Sequence, residues 1–527
     1  MIFNRKIKVF FLILLILIFI GISYISIILT NFRSVKQVVL SKEEILEIEK
    51  NLNGEENYSF EITVNKNPVF YNVVEDVAYY YLSEENANQY VDLNIKIASK
   101  DKFKYAVTSG NYDEEKGFYV DFEKPIELII YNEENYYKKT IKLTCVPIVN
   151  ITVGGEITSV ESASVVEVYA KDNKNENIVK TTTSEALIYL RGQTSAYYPK
   201  KQYRLKLRAN NTENQISLLG MEADEDWILD ALYSDYSKIR NKLSFDLWNE
   251  MNSVSGNTIN NDLHGEFVEV YINHEYNGIY LLKEFLDWKK LDLDKNNEYG
   301  SGILVKGAAY AQFSWDGYDP VKNTSMVYPF VMKYPKSQED YTKYWDTVMP
   351  KIYTNFFDKK NITEDYLLNT FDIYNYNDYK LLMNFICAAD NFKEKNAFIS
   401  MKNMNEDTKL ILTPWDLDMT YGYAWGQGVT SLYEEPKNLE RVENLWVDSE
   451  NINNLLKDRY WQLRKEVYNM DNINQKIDSY YNQIKYIVPR DSEKWLDTDL
   501  EEETNKIRNW LEKRIEILDE IFRWWNV

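Results

Sequence analysis

The side chains best suited to chemistry in this sequence are carboxylates. Asp416 and Asp418 stand two residues apart in Ile411-Leu-Thr-Pro-Trp-Asp-Leu-Asp-Met-Thr-Tyr-Gly422, just past an apolar strand, Leu410 to Leu412. In extended chain the side chains at i and i+2 leave on one face, so this turn is expected to bring two negative charges together. A hard divalent ion such as Mg2+, which takes carboxylate oxygens and substrate phosphates together, would offset their repulsion. The plainer reading is a surface turn with two solvated aspartates and a packed Trp415.

Upstream, a strongly apolar helical stretch, Phe371 to Ala389, delivers Asp390. Asn396 follows six residues later, then a strand, Ala397 to Met401, and Asp416 arrives 26 residues after Asp390. Helix, Asp, short loop, Asn, hairpin, Asp is the order of the catalytic half of a phosphoryl-transfer site. There the first Asp orients the nucleophilic hydroxyl, and the Asn and the later Asp hold metal. Such a site works by positioning and charge neutralisation. It needs no histidine, and this chain has only His264 and His274. With two cysteines, Cys145 and Cys387, there is neither a disulfide framework nor a thiolate metal site. With only two histidines, Ser-His-Asp hydrolysis and His-rich zinc sites are nearly excluded.

A second chemical feature is basic. The strand-like Ala186-Leu-Ile-Tyr-Leu-Arg-Gly192 ends in a glycine turn, and Gln202 to Leu207 then alternates. Tyr203, Leu205 and Leu207 share one face, while Arg204, Lys206 and Arg208 share the other, with Lys200 and Lys201 just before. This is either a phosphate-binding strand, with one lysine as a point charge on a nucleotide, or the solvated outer face of an edge strand guarded by lysines. The chain as a whole carries a net charge of −21, from 61 basic and 82 acidic residues. That argues against nucleic acid as a partner.

The elements that must position these groups can be read in outline. Hydrophobic residues make up 45% of the 527 and charged ones 27%, an ordinary globular balance for two to four domains. Val9 to Leu29 is an apolar run long enough to cross ~30 Å of hydrocarbon as a helix. Arg5, Lys6 and Lys8 precede it, so residues 1–30 are expected to be a cytoplasmic N-terminus and transmembrane anchor, with the rest outside; a cleaved signal peptide is the rival. Residues 31–150 open with a short amphipathic helix or linker, Ser41 to Asn53. They then show alternating strand-like runs, Ser59–Val64, Val91–Ile97, Gly117–Phe122, Ile126–Tyr131 and Tyr137–Cys145, which fit an immunoglobulin-like sandwich.

Residues 151–430 hold the chemistry. Ile239, Leu243, Leu247 and Met251 form a buried helical stripe that Asp235 or Ser237 would cap. Phe267 to Glu284 reads as a hairpin turning near Asn273 to Gly278, with Glu284 at the end of its second strand. Gly302–Lys306 and Tyr328–Tyr334 read as further strands. Residues 431–527 form a helical extension in which Ile507, Trp510, Leu511, Ile515, Leu518, Ile521, Phe522 and Trp525 trace an apolar stripe for packing on the core.

Several stretches together resemble the CotH kinases, the spore-coat protein H type. They are Arg191-Gly-Gln-Thr-Ser with Tyr198-Pro-Lys-Lys-Gln-Tyr-Arg-Leu-Lys206; Glu222-Ala-Asp-Glu-Asp-Trp-Ile-Leu with Asp235 and Arg240-Asn241; Phe267-Val-Glu-Val-Tyr-Ile-Asn with Gly278-Ile-Tyr-Leu-Leu-Lys-Glu284; Asp390-Asn-Phe with Asn396; and Pro414-Trp-Asp-Leu-Asp-Met-Thr-Tyr-Gly422. The order and spacing agree over residues ~150–425. The resemblance implies an α+β chain. Its atypical protein-kinase-like domain would be preceded by the β-sandwich module and transmembrane helix and followed by the helical region.

It further implies a kinase that uses ATP and Mg2+ to phosphorylate serine or threonine on proteins, including spore-coat proteins. On that resemblance Asp390 is the catalytic aspartate, and Asp416, with Asp418 and Asn396, holds metal. Arg191 and either Lys201 or Lys206 meet ATP, and Glu284 pairs with that lysine. The family's opening turn usually carries Asn where this chain has Gln193. The expected partners are a protein substrate or a surface or spore-coat protein, and the membrane through the N-terminal helix. The expected location is the cell membrane, single-pass, with extracytoplasmic domains. The other class of reading is a surface or cell-wall binding protein, adhesin-like, with the same fold and no turnover.

Overall fold

The computed structural model describes residues 33–56, 58–172, 175–255, 259, 261–295, 300–308, 325–336, 341–357, 361–425, 431–433 and 445–524. The expected membrane span, Val9 to Leu29, and Trp525 of the C-terminal stripe lie outside them. Among the described residues no helix is long and apolar enough to cross a membrane. The chain is α+β and forms two compact units. The first takes the described residues of Met1–Ala231, Gly265–Glu284 and Asn482–Asp497, and the second those of Leu232–His264, Phe285–Tyr481 and Thr498–Val527.

The first unit begins with a β-rich module. A helix, Lys42–Asn51, is capped by Ser41 and Glu44 in a reciprocal pair of hydrogen bonds. Two sheets follow whose inward residues, among them Ile62, Val64, Ile95 and Ile97 from one and Tyr80, Leu128, Ile130 and Ile141 from the other, share a single core. Of the expected strands, Ile126–Tyr131 is present with the expected bounds, Glu61–Val64 and Gly117–Tyr119 are shorter, and Ile95–Ser99 and Asn135–Thr144 are shifted. The last pairs in parallel with Val77–Tyr81.

Beyond it the chain closes a seven-stranded barrel: β1 (Ile148–Val153), β2 (Ser162–Asp172), β3 (Asn175–Leu190), β4 (Tyr203–Ala209), β5 (Asp226–Asp230), β6 (Gly265–Ile272) and β7 (Glu275–Glu284). The order around it is β3-β2-β1-β6-β7-β5-β4, and β4 returns to β3 from Glu185↔Arg208 to Leu190↔Tyr203. Strand alternation explains the closure. Tyr203, Leu205 and Leu207 are buried while Arg204, Lys206 and Arg208 are partly exposed. The basic strand therefore has partners on both sides, and the edge-strand reading is corrected. Between β6 and β7 the turn is only two residues, Asn273 and His274, both left-handed at φ 52° and 65°.

Gly278, expected in that turn, lies inside β7 at φ +110°. A Cβ there would sit 2.2 Å from Asp491 Oδ1 and 2.9 Å from Lys200 Nζ. The glycine makes room for a buried ion pair. Lys200, fully buried, donates to Asp491 Oδ1 and to the Ile279 carbonyl, both at 2.6 Å, and Asp491 also accepts from Ile279 N. Asp491 comes from a short helix, Val488–Lys494, far along the chain. Its neighbour Arg490 lies 3.8 Å over the Tyr276 ring and donates to the hydroxyls of Tyr79 and Tyr271, while pairing with Glu75 and Glu269.

The second unit has a five-stranded sheet: β8 (Ile303–Gly307), β9 (Met326–Val327), β10 (Phe330–Tyr334), β11 (Phe398–Met401) and β12 (Leu410–Thr413), in the order β9-β10-β8-β11-β12. Its helices include α1 (Arg240–Ser255), α2 (Ile373–Phe385), α3 (Glu450–Glu466) and α4 (Leu500–Trp524). The stripe Ile239, Leu243, Leu247 and Met251 is fully buried, and Asp235 caps α1 by accepting from Arg240 N at 2.8 Å. In α4 the expected apolar residues from Ile507 to Phe522 are buried, except the half-buried Ile521.

Removing one partner of a buried ion pair leaves the other charge uncompensated. Asp491→Ala should therefore lower stability by about 3–5 kcal/mol, read from denaturant unfolding. Burial pushes the Glu269 carboxyl above its ordinary 4.5, with Arg490 opposing the shift. A raised folded-state value means that the folded state binds the extra proton. This contribution is thus present below the ordinary value and is lost as pH rises through the raised one. Glu269→Gln should flatten that decline, measured as unfolding midpoints across the mildly acidic to neutral range.

Candidate functional site

Asp390 is presented by the end of α2. Asp372 caps the start of that helix, its side chain accepting from Asn375 N at 2.9 Å. The expected helix to Ala389 stops earlier, at Phe385. Cys387 turns left-handed at φ +49° and a 3-10 segment, Ala389–Glu394, carries Asp390. The carboxylate is buried and doubly gripped: Asn396 Nδ2 donates to Oδ2 at 3.0 Å, and Lys395 Nζ donates to Oδ1. Asn396 is itself left-handed, φ +61°, and its backbone N–H donates to the Gly307 carbonyl of β8 at 2.9 Å. Asn396, expected as a metal ligand, is thus in direct contact with Asp390, and the sheet anchors it.

The acidic turn leaves β12 through Pro414 and Trp415. Trp415 packs on Phe245 of α1 and Phe398 of β11. Asp416 is left-handed, φ +61°, so the turn does not keep the extended alternation that would send Asp416 and Asp418 out on one face. The two carboxylates are both half-buried but differently placed. Asp418 Oδ2 accepts from Ser234 Oγ at 2.9 Å. Between them Leu417 N donates to Asn241 Oδ1 at 2.7 Å, and further on Arg240 Nε donates to the Thr420 carbonyl at 3.2 Å. Tyr423 closes the turn by donating to the Ser234 carbonyl at 2.6 Å.

The two segments are laced together. Ala389 N donates to Met419 O at 2.8 Å, Asn391 Nδ2 to Trp415 O at 2.7 Å and Tyr421 N to Ile386 O at 2.7 Å. Asp390 sits between two of these bonds, beside the turn that carries Asp416. Among the described residues no group of three His, Cys, Asp or Glu side chains is arranged to hold a metal. The side chains expected to hold metal, Asp416, Asp418 and Asn396, carry hard oxygen donors. That suits Mg2+, which binds through one or two carboxylates together with substrate phosphates and water.

The other expected residues lie in the first unit. Arg191 follows β3 and closes the neck of the loop to β4, with N donating to Gln202 O at 3.1 Å and Nη1 to Gln202 Oε1 at 2.9 Å. Gly192, φ +95°, takes the turn where a Cβ would strike Ser195 Oγ. Lys201 Nζ donates to the Ala196 carbonyl within this loop, and Lys206 pairs with Glu161 and lies 5.3 Å over Tyr189. Glu284 accepts from the backbone N–H of Glu222 at 3.2 Å. The expected pairing of Glu284 with Lys201 or Lys206 is therefore corrected, because each lysine has an acceptor nearer its own strand. A lysine–carboxylate pair does lie next to Glu284: Lys283 and Asp230, 2.6 Å apart and both buried. Sequence reading missed it, although a lysine directly after the apolar run Ile279 to Leu282, within the same strand, is the mark of a buried, paired cation. It also missed Asn391 and Ser234, whose roles arise from contacts distant in sequence, and Lys395, whose partner Asp390 lies five residues before it.

A family model described as CotH kinase protein matches residues 188–518, well over half of the chain and including most of the helical region. No curated protein matches. The matched span starts later than the expected ~150 and runs past the expected ~425 to include most of the C-terminal helices.

Asn241 should be critical to the turn. Asn241→Ala leaves the buried Leu417 N–H without its acceptor, at about 1–3 kcal/mol. The loss should appear in urea unfolding and should exceed that of Asn241→Asp, which keeps an acceptor oxygen.

Proposed function

The chain belongs to the CotH kinase family, and on that premise we propose that it transfers the γ-phosphoryl group of ATP to Ser or Thr hydroxyls of proteins. One observation carries the proposal. Asp390, the carboxylate expected to orient the acceptor, is fixed by Asn396 and Lys395 and is hydrogen-bonded, through its neighbours, to the turn bearing Asp416. In this reading Asp390 accepts a hydrogen bond from the acceptor hydroxyl and takes its proton as that oxygen bonds to the γ-phosphorus, while the bond from phosphorus to the β–γ bridging oxygen breaks and ADP leaves. Asn396 and Asp416 would hold Mg2+, whose contribution when bound is to neutralise charge on the triphosphate. Asn396 does double duty, since its amide nitrogen aims the base while its oxygen remains for metal. Lys395 holds Asp390 in place and puts a positive charge beside the oxygen that gains charge in the transition state. Asp418, committed to Ser234, braces the turn.

Arg191 and Lys201, on the loop between β3 and β4, are the proposed nucleotide contacts of the first unit, with Lys206 the less suited because it pairs with Glu161. The same proposal keeps the membrane anchor at residues 1–30, the residue 31–150 module as a spacer, and a surface or spore-coat protein as substrate. The binding-protein reading draws on the engagement of Lys201 and Lys206 with partners of their own.

Incubation with γ-labelled ATP, Mg2+ and a Ser/Thr-rich acceptor protein separates the two. The parent should label the acceptor, and Asp390→Ala should cut the rate by about 10²–10⁴-fold while keeping Mg2+–ATP-dependent thermal stabilisation. Asp416→Ala should lose both. A parent that neither labels nor is stabilised by nucleotide would establish the binding-protein reading instead.

A further inference from the structure

One helix touches both catalytic segments. α4 was expected to pack by its apolar stripe, yet two of its buried residues are charged. Glu503, Trp510 and Arg514, spaced i, i+7 and i+11, fall on one side of the helix. Arg514 is fully buried, and its Nε and Nη2 both donate to the Asn384 carbonyl, at 3.2 and 2.7 Å. Asn384 lies in the last turn of α2, where carbonyls have no partner within the helix and a cation is favoured. Two residues on, the chain reaches Ile386, whose carbonyl accepts from Tyr421 N; Asp390 follows. On the same side of α4, Trp510 meets the Tyr421 ring edge-on at 6.4 Å. Glu503 lies 3.8 Å from Arg240, the residue that holds the Thr420 carbonyl. α4 therefore grips the end of α2 before Asp390 and the far end of the turn that carries Asp416.

Burying a guanidinium is costly. A leucine would satisfy the packing, but it would remove both donors that tie the Asn384 carbonyl to α4, leaving that carbonyl only local backbone partners such as Cys387 N at 3.3 Å. We propose that Arg514 is a positioning residue for phosphoryl transfer: it sets the register of the Asp390 segment against the acidic turn, with Trp510 and Glu503 holding the turn to the same helix. This rests on the kinase reading for its catalytic consequence, but the coupling of the two segments stands on contacts alone.

The test uses the full chain with Arg514→Gln, Arg514→Lys and Trp510→Phe. Two quantities are measured for each: steady-state transfer of labelled phosphoryl, and amide hydrogen exchange over residues 386–396 and 415–423. Arg514→Gln should lower kcat by about 10²-fold, as a misplacement of about 1 Å does, with KM for ATP within about twofold. Exchange in both segments should rise while that of β11 and β12 stays at the parental level. Arg514→Lys, which keeps the charge and one donor, should recover part of the loss in both measurements. If Arg514→Gln does not fold, Arg514→Lys and Trp510→Phe decide by the same readings. Parental kcat in folded variants would overturn the proposal. So would a uniform rise in exchange through the sheet, which marks a merely structural role. A parent without transfer activity would remove the kinase reading; the exchange pattern would then decide by itself whether Arg514 couples the segments.

Discussion

Hydrogen bonds from neutral groups hold the acidic segments of this protein together. The Asp390 segment and the Trp415–Tyr421 turn both carry carboxylates, and charge alone would separate them. Two backbone amides, of Ala389 and Tyr421, and one side-chain amide, of Asn391, reach across to carbonyls on the other segment. None of these bonds uses a carboxylate oxygen. The oxygens of Asp390 and Asp416 are thus spared the task of binding the segments to each other. Under the proposed function, a site that gathers metal and phosphate is served by such a separation of duties, in which amides make the scaffold bonds.

The surroundings of that lacing follow the same logic. Asn241 occupies the amide between the two aspartates of the turn, and Ser234 takes Asp418. Ser234 precedes α1 and Asn241 lies in its first turn, and the start of that helix is fixed by Asp235 and Arg240. The strand β12 enters the turn from a sheet whose inward residues are almost wholly inaccessible. Left-handed backbone at Asp416 and Asn396 persists because packing and hydrogen bonds on both sides fix it.

Much of this could be read from the residues. The apolar helix, Asp390, Asn396 and the Trp-Asp-Leu-Asp turn were legible in the right order because each is local and tied to a periodic pattern. The alternation of Tyr203, Leu205 and Leu207 against Arg204, Lys206 and Arg208 was equally plain. What escaped was pairing at long range. Nothing in the sequence says that Lys206 meets Glu161 and not Glu284, or that Lys200 meets Asp491. Ion-pair choice depends on which strands become neighbours, and closure of the barrel decides that. The helix delivering Asp390 was read too long because Cys387, which ends it with a left-handed turn, is neither glycine nor asparagine. The helical tail was read as a cap because its apolar stripe is visible, whereas the buried Arg514 looks from sequence like any surface arginine.

The way the polypeptide is shared between its two units has a consequence for biosynthesis. Each unit is assembled from three separate stretches, and the first is complete only when Asn482–Asp497 has been made. Lys200 is charged and destined for full burial, yet its counter-ion lies 291 residues downstream. On the ribosome, at about 5–20 residues per second, that lysine must wait some tens of seconds for its partner. Until the short helix bearing Arg490 and Asp491 emerges, the barrel has an unfilled polar gap at Gly278. Nascent chains should therefore stay dependent on holding factors until Asn482–Asp497 has emerged.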